Sequence, residues 1–164
     1  MDAHRSPRQD LEVISRLNDE GVEYVVIGAV AMNLHGLVRA TEDLDVFVRP
    51  VEPNILALRR ALHRVWDDPE IDGITAEDLC GGYPAVRYGP PDESLPLDIL
   101  TRLGELASFD DIEHELVEIE GIKVRVATPR TLHWLKAGTV RPQDHVDAAA
   151  LRAVFGPELE EKGR

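Results

Sequence analysis

Asp43 and Asp45 stand two residues apart in the stretch DLDVFV, and Asp98 sits between Leu97 and Ile99 in LPLDIL. Residues two apart on a strand share a face, so the first pair presents two carboxylates about 6 to 7 Å apart along the chain. Carboxylates held that close repel. Burying either one unpaired is expensive, so the pair calls for a cation or a shared proton. Magnesium is the natural partner, with manganese as its substitute, because hard oxygen donors suit it and its sites leave positions to water and substrate phosphates. A third carboxylate, Asp98, converging from a neighbouring strand would let the group hold two ions, one on phosphates and one activating a hydroxyl.

Gly28 adds a phosphate side to this reading. It lies between the strand-like VEYVVI and AVAMNLHG, and a glycine between a buried strand and a helix lets backbone amides approach an anion at the helix N-terminus. Each residue also has a plainer reading. The carboxylates could be the solvent face of an edge strand, Gly28 a strand terminator, Arg39 a surface residue and Thr41 a hydroxyl that orders its loop. Lys136 either delivers a compact charge to phosphate or complements a helix dipole. His35 beside Gly36 reads as a helix-end packing or hydrogen-bonding residue, and Trp66 and Trp134 as core or rim. His63, His133 and His145 lack zinc-ligand spacing, and Cys80 has no histidine near it in sequence.

The elements that must position these groups are legible from periodicity. Ser6 and Pro7 begin a helix carrying Leu11, Ile14 and Leu17 and ending at Gly21. Val22 to Ile27 is a buried strand and Ala29 to Gly36 a short helix. In DLDVFV, Leu44, Val46 and Val48 alternate with Asp43, Asp45 and Phe47, which makes it a strand. Pro50 and Pro53 stop it, and Ile55, Leu58, Leu62 and Val65 mark a second amphipathic helix. Asp67, Asp68, Glu70 and Asp72 form an acidic loop, followed by a capped turn from Thr75 to Leu79. PAVRYG and LPLDIL are short strands, Ser108 and Asp111 cap a helical turn, and HELVEIEGIKVRVA is two strands joined at Glu120 and Gly121. Thr128 and Pro129 open a helix to Lys136 or Ala137. A last helix begins near Arg141 and Pro142 and carries Val146, Ala149, Ala150 and Val154.

At 164 residues the chain has the size of one compact domain, and we expect a single domain over residues 1–164 with 128–164 as a C-terminal helical extension. Its 31 acidic against 18 basic residues leave a formal net charge of −13. That balance disfavours unaided binding to nucleic acid or to an anionic membrane. With one cysteine no intrachain disulfide forms, and with no signal-like or membrane-length apolar run the expectation is a cytoplasmic protein.

The text from Val25 to Val48, VVIGAVAMNLHGLVRATEDLDVFV, resembles the polymerase-β-like nucleotidyltransferase superfamily, in particular its small bacterial members related to toxin-type and antibiotic-modifying transferases. Gly28, His35, Gly36, Arg39, Thr41, Asp43 and Asp45 fall on the family's positions, Asp98 on that of its third carboxylate, and Lys136, Arg141, Asp144 and Asp147 on a late Lys and Arg-x-x-Asp region. One position departs: Ala29 stands where a second Gly or a Ser is usual, losing the hydroxyl of one and the flexibility of the other.

The resemblance implies an α/β (α+β) fold with a mixed β-sheet flanked by helices, and a magnesium-dependent transfer of a nucleoside monophosphate from a nucleoside triphosphate (NTP), with pyrophosphate released. Asp43, Asp45 and Asp98 would be the catalytic and metal-binding residues, and Gly28, Ala29, Arg39, Thr41 and Lys136 the nucleotide-binding ones, with Asp144 ordering Lys136 or Arg141. The acceptor is left open among a small molecule, a protein and a tRNA. Two rivals stand beside this reading. One is a catalytically inactive member of the fold serving as a partner-binding or antitoxin-like module, motivated by Ala29. The other is a metal-dependent phosphohydrolase.

Overall fold

The computed structural model describes residues 9–37, 43–82, 84–103, 107–137 and 142–159. Helix α1 (Gln9–Asp19) buries Leu11, Val13, Ile14 and Leu17, and Gly21 turns the chain with a φ of 71°. Strand β1 (Tyr24–Ile27) is buried along its whole length. It runs directly into α2 (Gly28–Leu34). Strand β2 (Leu44–Val48) follows, then α3 (Glu52–His63), whose first turn accommodates Pro53 because a missing N–H is harmless there.

The acidic loop is a 3-10 turn, Pro69–Gly73, capped by Asp68. Asp78 donates its amide to the Thr75 hydroxyl at 3.2 Å, the cap that the sequence suggests. Strands β3 (Ala85–Tyr88) and β4 (Leu97–Leu100) come next, then a small ribbon of β5 (Arg102–Leu103) and β6 (Ala107–Ser108). A capping box joins Ser108 and Asp111. Strands β7 (His114–Ile119) and β8 (Ile122–Ala127) form a hairpin, whose turn residues Glu120 and Gly121 both have positive φ, as the twist of a two-residue hairpin requires. Helices α4 (Pro129–Ala137) and α5 (Pro142–Leu159) complete the described chain.

Six strands form one mixed sheet in the order β3-β4-β2-β1-β8-β7. β1 and β2 are antiparallel, β2 and β4 parallel, β3 and β4 antiparallel, and β1 and β8 parallel. Helices cover both faces. The Tyr24 hydroxyl donates to Asn18 of α1 at 2.8 Å, which puts α1 over the face that carries Val26 and, by register, Leu44 and Val46. The opposite face carries Asp45 and Phe47. Phe47 is completely buried, so that face is covered along β2 and opens only toward the strand's beginning.

The last helix departs from the expectation. Val146 and Val154 are 61% and 57% exposed, while Asp144, Asp147, Ala148 and Leu151 are buried. The inward stripe of α5 carries carboxylates that find a cationic partner, so apolar periodicity pointed to the outer face. Among the described residues, no helix is long and apolar enough to cross a membrane.

Candidate active site

β1 ends where β2 and β4 begin, and the pairing there aligns one row of side chains across four strands. Ile27 pairs with Asp45, Asp45 with Asp98, and Asp98 with Arg87. Strand alternation puts Asp43 on the side of Asp45. One carboxylate oxygen from each of Asp43, Asp45 and Asp98 lies within 4.8 Å of the other two. Adjacent strands in register are only about 4.8 Å apart, which is why a carboxylate from β4 reaches a pair on β2.

Such crowding has an electrostatic consequence. The Asp45 carboxyl is pushed up to about 7, first by burial, then by a hydrogen bond with Asp98 and by the charges of Asp98 and Asp43, with Lys136 acting the other way. Arg87 supplies part of the neutralisation. Its Nη1 donates to both oxygens of Asp98 at 3.0 Å and to Oδ2 of Asp43 at 3.2 Å, and its Nη2 donates to Oδ1 of Asp43 at 3.1 Å. Three hard oxygen donors gathered about one point, with a guanidinium between two of them, fit a divalent cation such as magnesium or manganese.

Gly28 has a steric reason of its own. Its φ is +75°, and a Cβ there would lie 2.0 Å from Oδ2 and 2.9 Å from Cγ of Asp45. The glycine leaves room for the carboxylate. Ala29 follows in the first turn of α2, half-buried, whereas Gly28 itself lines a cavity of about 530 Å³ shared with Asp43, Asp45, Asp98, Arg87, Lys136 and Asp144. That volume is in the range of small-ligand sites. Leu100, Leu132 and Leu135 give the cavity an apolar wall.

Lys136 enters the cavity from α4. Its Nζ lies 3.3 Å from Oδ1 of Asp144 and 3.0 Å from Oδ2 of Asp147, with the lysine 13% and Asp147 2% exposed. Gln143 donates to the other oxygen of Asp147 at 2.9 Å. The lysine is thus anchored to α5 by a buried ionic pairing, a role separate from complementing the dipole of its own helix.

The structure therefore brings Gly28, Asp43, Asp45, Asp98 and Lys136 to one cavity. Arg39, Thr41 and Arg141 lie outside the described residues. His35 makes the helix-end contacts expected of it: its Nε2 is 2.8 Å from the Ala127 carbonyl and its ring packs edge-on to Phe155. Sequence reasoning missed Arg87. Its one signal was a basic residue at the outward-alternating position of PAVRYG, and nothing in sequence tells that this strand pairs with LPLDIL. The pairing of Asp147 with Lys136 was likewise hidden.

The profile of the family described as nucleotidyl transferase AbiEii toxin, type IV TA system, matches residues 13–161. No curated protein matches the chain. Among solved structures, an antigenic nucleotidyltransferase-like protein from Paracoccidioides brasiliensis superposes with a TM-score of 0.55 at 17% identity, covering 92% of this chain and 78% of that one. ANT(2")-Ia in complex with adenylyl-2"-tobramycin gives a TM-score of 0.53 at 11% identity, covering 92% and 90%. A candidate nucleotidyltransferase from Thermotoga maritima gives 0.51 at 16%, covering 96% and 99%. At such identities these likenesses speak for the fold.

Proposed function

This chain belongs to the AbiEii nucleotidyl transferase family, and on that premise we propose that it is a divalent-metal-dependent nucleotidyltransferase. An acceptor oxygen attacks the α-phosphorus of an NTP, a new P–O bond forms, and pyrophosphate leaves. The observation that carries this reading is the convergence of Asp43, Asp45 and Asp98 beside a cavity of ligand size.

Asp43, Asp45 and Asp98 would hold the metal, magnesium in the cell and manganese as a substitute, which when bound offsets phosphate charge and acidifies the acceptor hydroxyl. Asp98, between Asp45 and Arg87 in the row, orients that hydroxyl and takes its proton. Gly28 keeps Asp45 in place and, with the Ala29 amide, receives the triphosphate. Lys136, held by Asp144 and Asp147, presents its ammonium to the phosphates, where negative charge develops as pyrophosphate departs. Arg39 and Thr41 complete the nucleotide contacts. Leu100, Leu132 and Leu135 exclude water from one side, which strengthens each of these interactions. All of this lies within one domain of residues 1–164, with 128–164 as its helical extension.

The family's description supports a toxin-type transferase in a toxin–antitoxin pair, and we place its action in the cytoplasm. The acceptor is tested directly by incubating the protein with each labelled NTP and cell extract, then identifying the labelled product. Transfer should fall by at least about a hundredfold in Asp43→Asn and in Asp45→Asn, the scale of losing one preorganised electrostatic group at a reacting centre. Folded protein that neither labels an acceptor nor binds any NTP with magnesium or manganese would instead be the partner-binding module that Ala29 suggests. Release of phosphate without a labelled acceptor would mark a phosphohydrolase.

A further inference from the structure

Among the described residues, two cations line the cavity, and they are held in opposite ways. Lys136 is nearly enclosed and anchored by two carboxylates of α5. Arg87 is 56% exposed, stands on the edge strand β3, and spends all four of its hydrogen bonds in the cavity on Asp43 and Asp98. These are two of the three residues that would ligate metal. Resting on the metal-dependent reading above, we propose that Arg87 is a displaceable internal cation. It occupies Asp43 and Asp98 while the site holds no metal, and turns to the nucleotide's phosphates once a divalent ion takes those carboxylates.

The geometry makes the two occupants competitors. A guanidinium stays charged at any accessible pH, so it cannot remain between Asp43 and Asp98 beside a dication without strong like-charge repulsion. The exchange needs only side-chain motion. Tyr88, the next residue, donates its hydroxyl to the buried Asp68 at 2.6 Å and packs on Trp66 at 5.6 Å between ring centroids, so the backbone that carries Arg87 is pinned. The side chain itself is 56% exposed, which leaves solvent space for it to swing into once its carboxylate partners are taken. Its planar fork matches phosphate as well as carboxylate, so the displaced group has a partner of the same geometry as soon as a triphosphate enters. In the absence of metal, the same side chain explains how the sheet tolerates three converging carboxylates.

The test uses wild-type protein and Arg87→Gln, with manganese alone as the first probe and a non-hydrolysable NTP analogue as the second. Free Mn²⁺ measured by electron paramagnetic resonance should show R87Q binding the ion more tightly by about tenfold, the size of a typical coupling between ligands that share a site. At saturating Mn²⁺, calorimetry should show the analogue binding R87Q more weakly by a similar factor. Opposite signs in the two titrations are the signature. Equal or weaker Mn²⁺ binding by R87Q overturns the displacement and leaves the metal reading standing. Tighter Mn²⁺ binding with unchanged analogue affinity overturns the turn toward phosphate. If neither protein binds Mn²⁺, the metal reading fails and this proposal with it.

A second readout needs no variant. In wild-type protein the Arg87 side-chain N–H resonances should be protected in the free state, lose that protection at saturating Mg²⁺, and regain it when the analogue is added. Protection that persists unchanged through the Mg²⁺ titration overturns the proposal.

Discussion

Asp45 and Gly28 form a single unit, because the carboxylate occupies the space that any side chain at position 28 would need. Gly28→Ala combines that clash with a left-handed backbone that disfavours a Cβ by about 1–2 kcal/mol. The variant should unfold at lower denaturant and lose metal-dependent stabilisation, and equilibrium unfolding with and without Mg²⁺ checks both. Asp45 also gives the protein a pH dependence of definite sign. Its carboxyl is raised to about 7 from 3.8, so between those values the folded state holds a proton that the unfolded state has released. Stability from this residue is greatest in acid and declines as pH rises toward 7. Thermal unfolding of wild type against Asp45→Asn, without metal, should show wild type losing ground over that interval. A cation held at the proposed site would replace the same proton, so Mg²⁺ affinity should climb with pH through about 7. An Mg²⁺ affinity that is flat across that range would contradict the assignment.

At the scale of elements, the docking of α5 depends on Lys136. Helix α5 turns Asp144 and Asp147 inward, a face that apolar periodicity assigns to solvent. Removing one member of a buried ionic group leaves the others uncompensated, at about 3–5 kcal/mol. Lys136→Met should therefore destabilise the fold by roughly 3 kcal/mol, and adding Asp144→Asn and Asp147→Asn should restore much of that loss. Urea titrations of the single and triple variants measure it. If Lys136→Met is as stable as wild type, the pairing is not what seats α5. The triple variant should still fail in nucleotide transfer, which separates the lysine's structural role from its proposed contact with phosphate.

For the whole molecule, a net charge of −13 spreads self-repulsion over the surface, and salt screens it. Both NaCl and MgCl₂ should raise the melting temperature, but on the proposed metal site MgCl₂ should raise it further at equal ionic strength by binding there as well. That excess should vanish in the Asp43→Asn, Asp45→Asn double variant. Equal responses of wild type and double variant would remove the case for a specific cation site.

Much of this was written in local patterns. The alternation of β2, the spacing in α1 and α3, the Glu120–Gly121 hairpin, the Ser108–Asp111 capping box and the prolines that open α4 and α5 depend on neighbours a few residues away, so they are readable along the chain. The motif around Gly28, Asp43 and Asp45 was legible for the same reason, and LPLDIL offered Asp98 as a third carboxylate. Strand pairing and register lie beyond local pattern. Only the fold set Asp98 beside Asp45, put Arg87 at the end of their row, and turned two aspartates of α5 toward Lys136. A carboxylate's partner is chosen by distance in space, and that distance is decided by how sheet and helices close on one another.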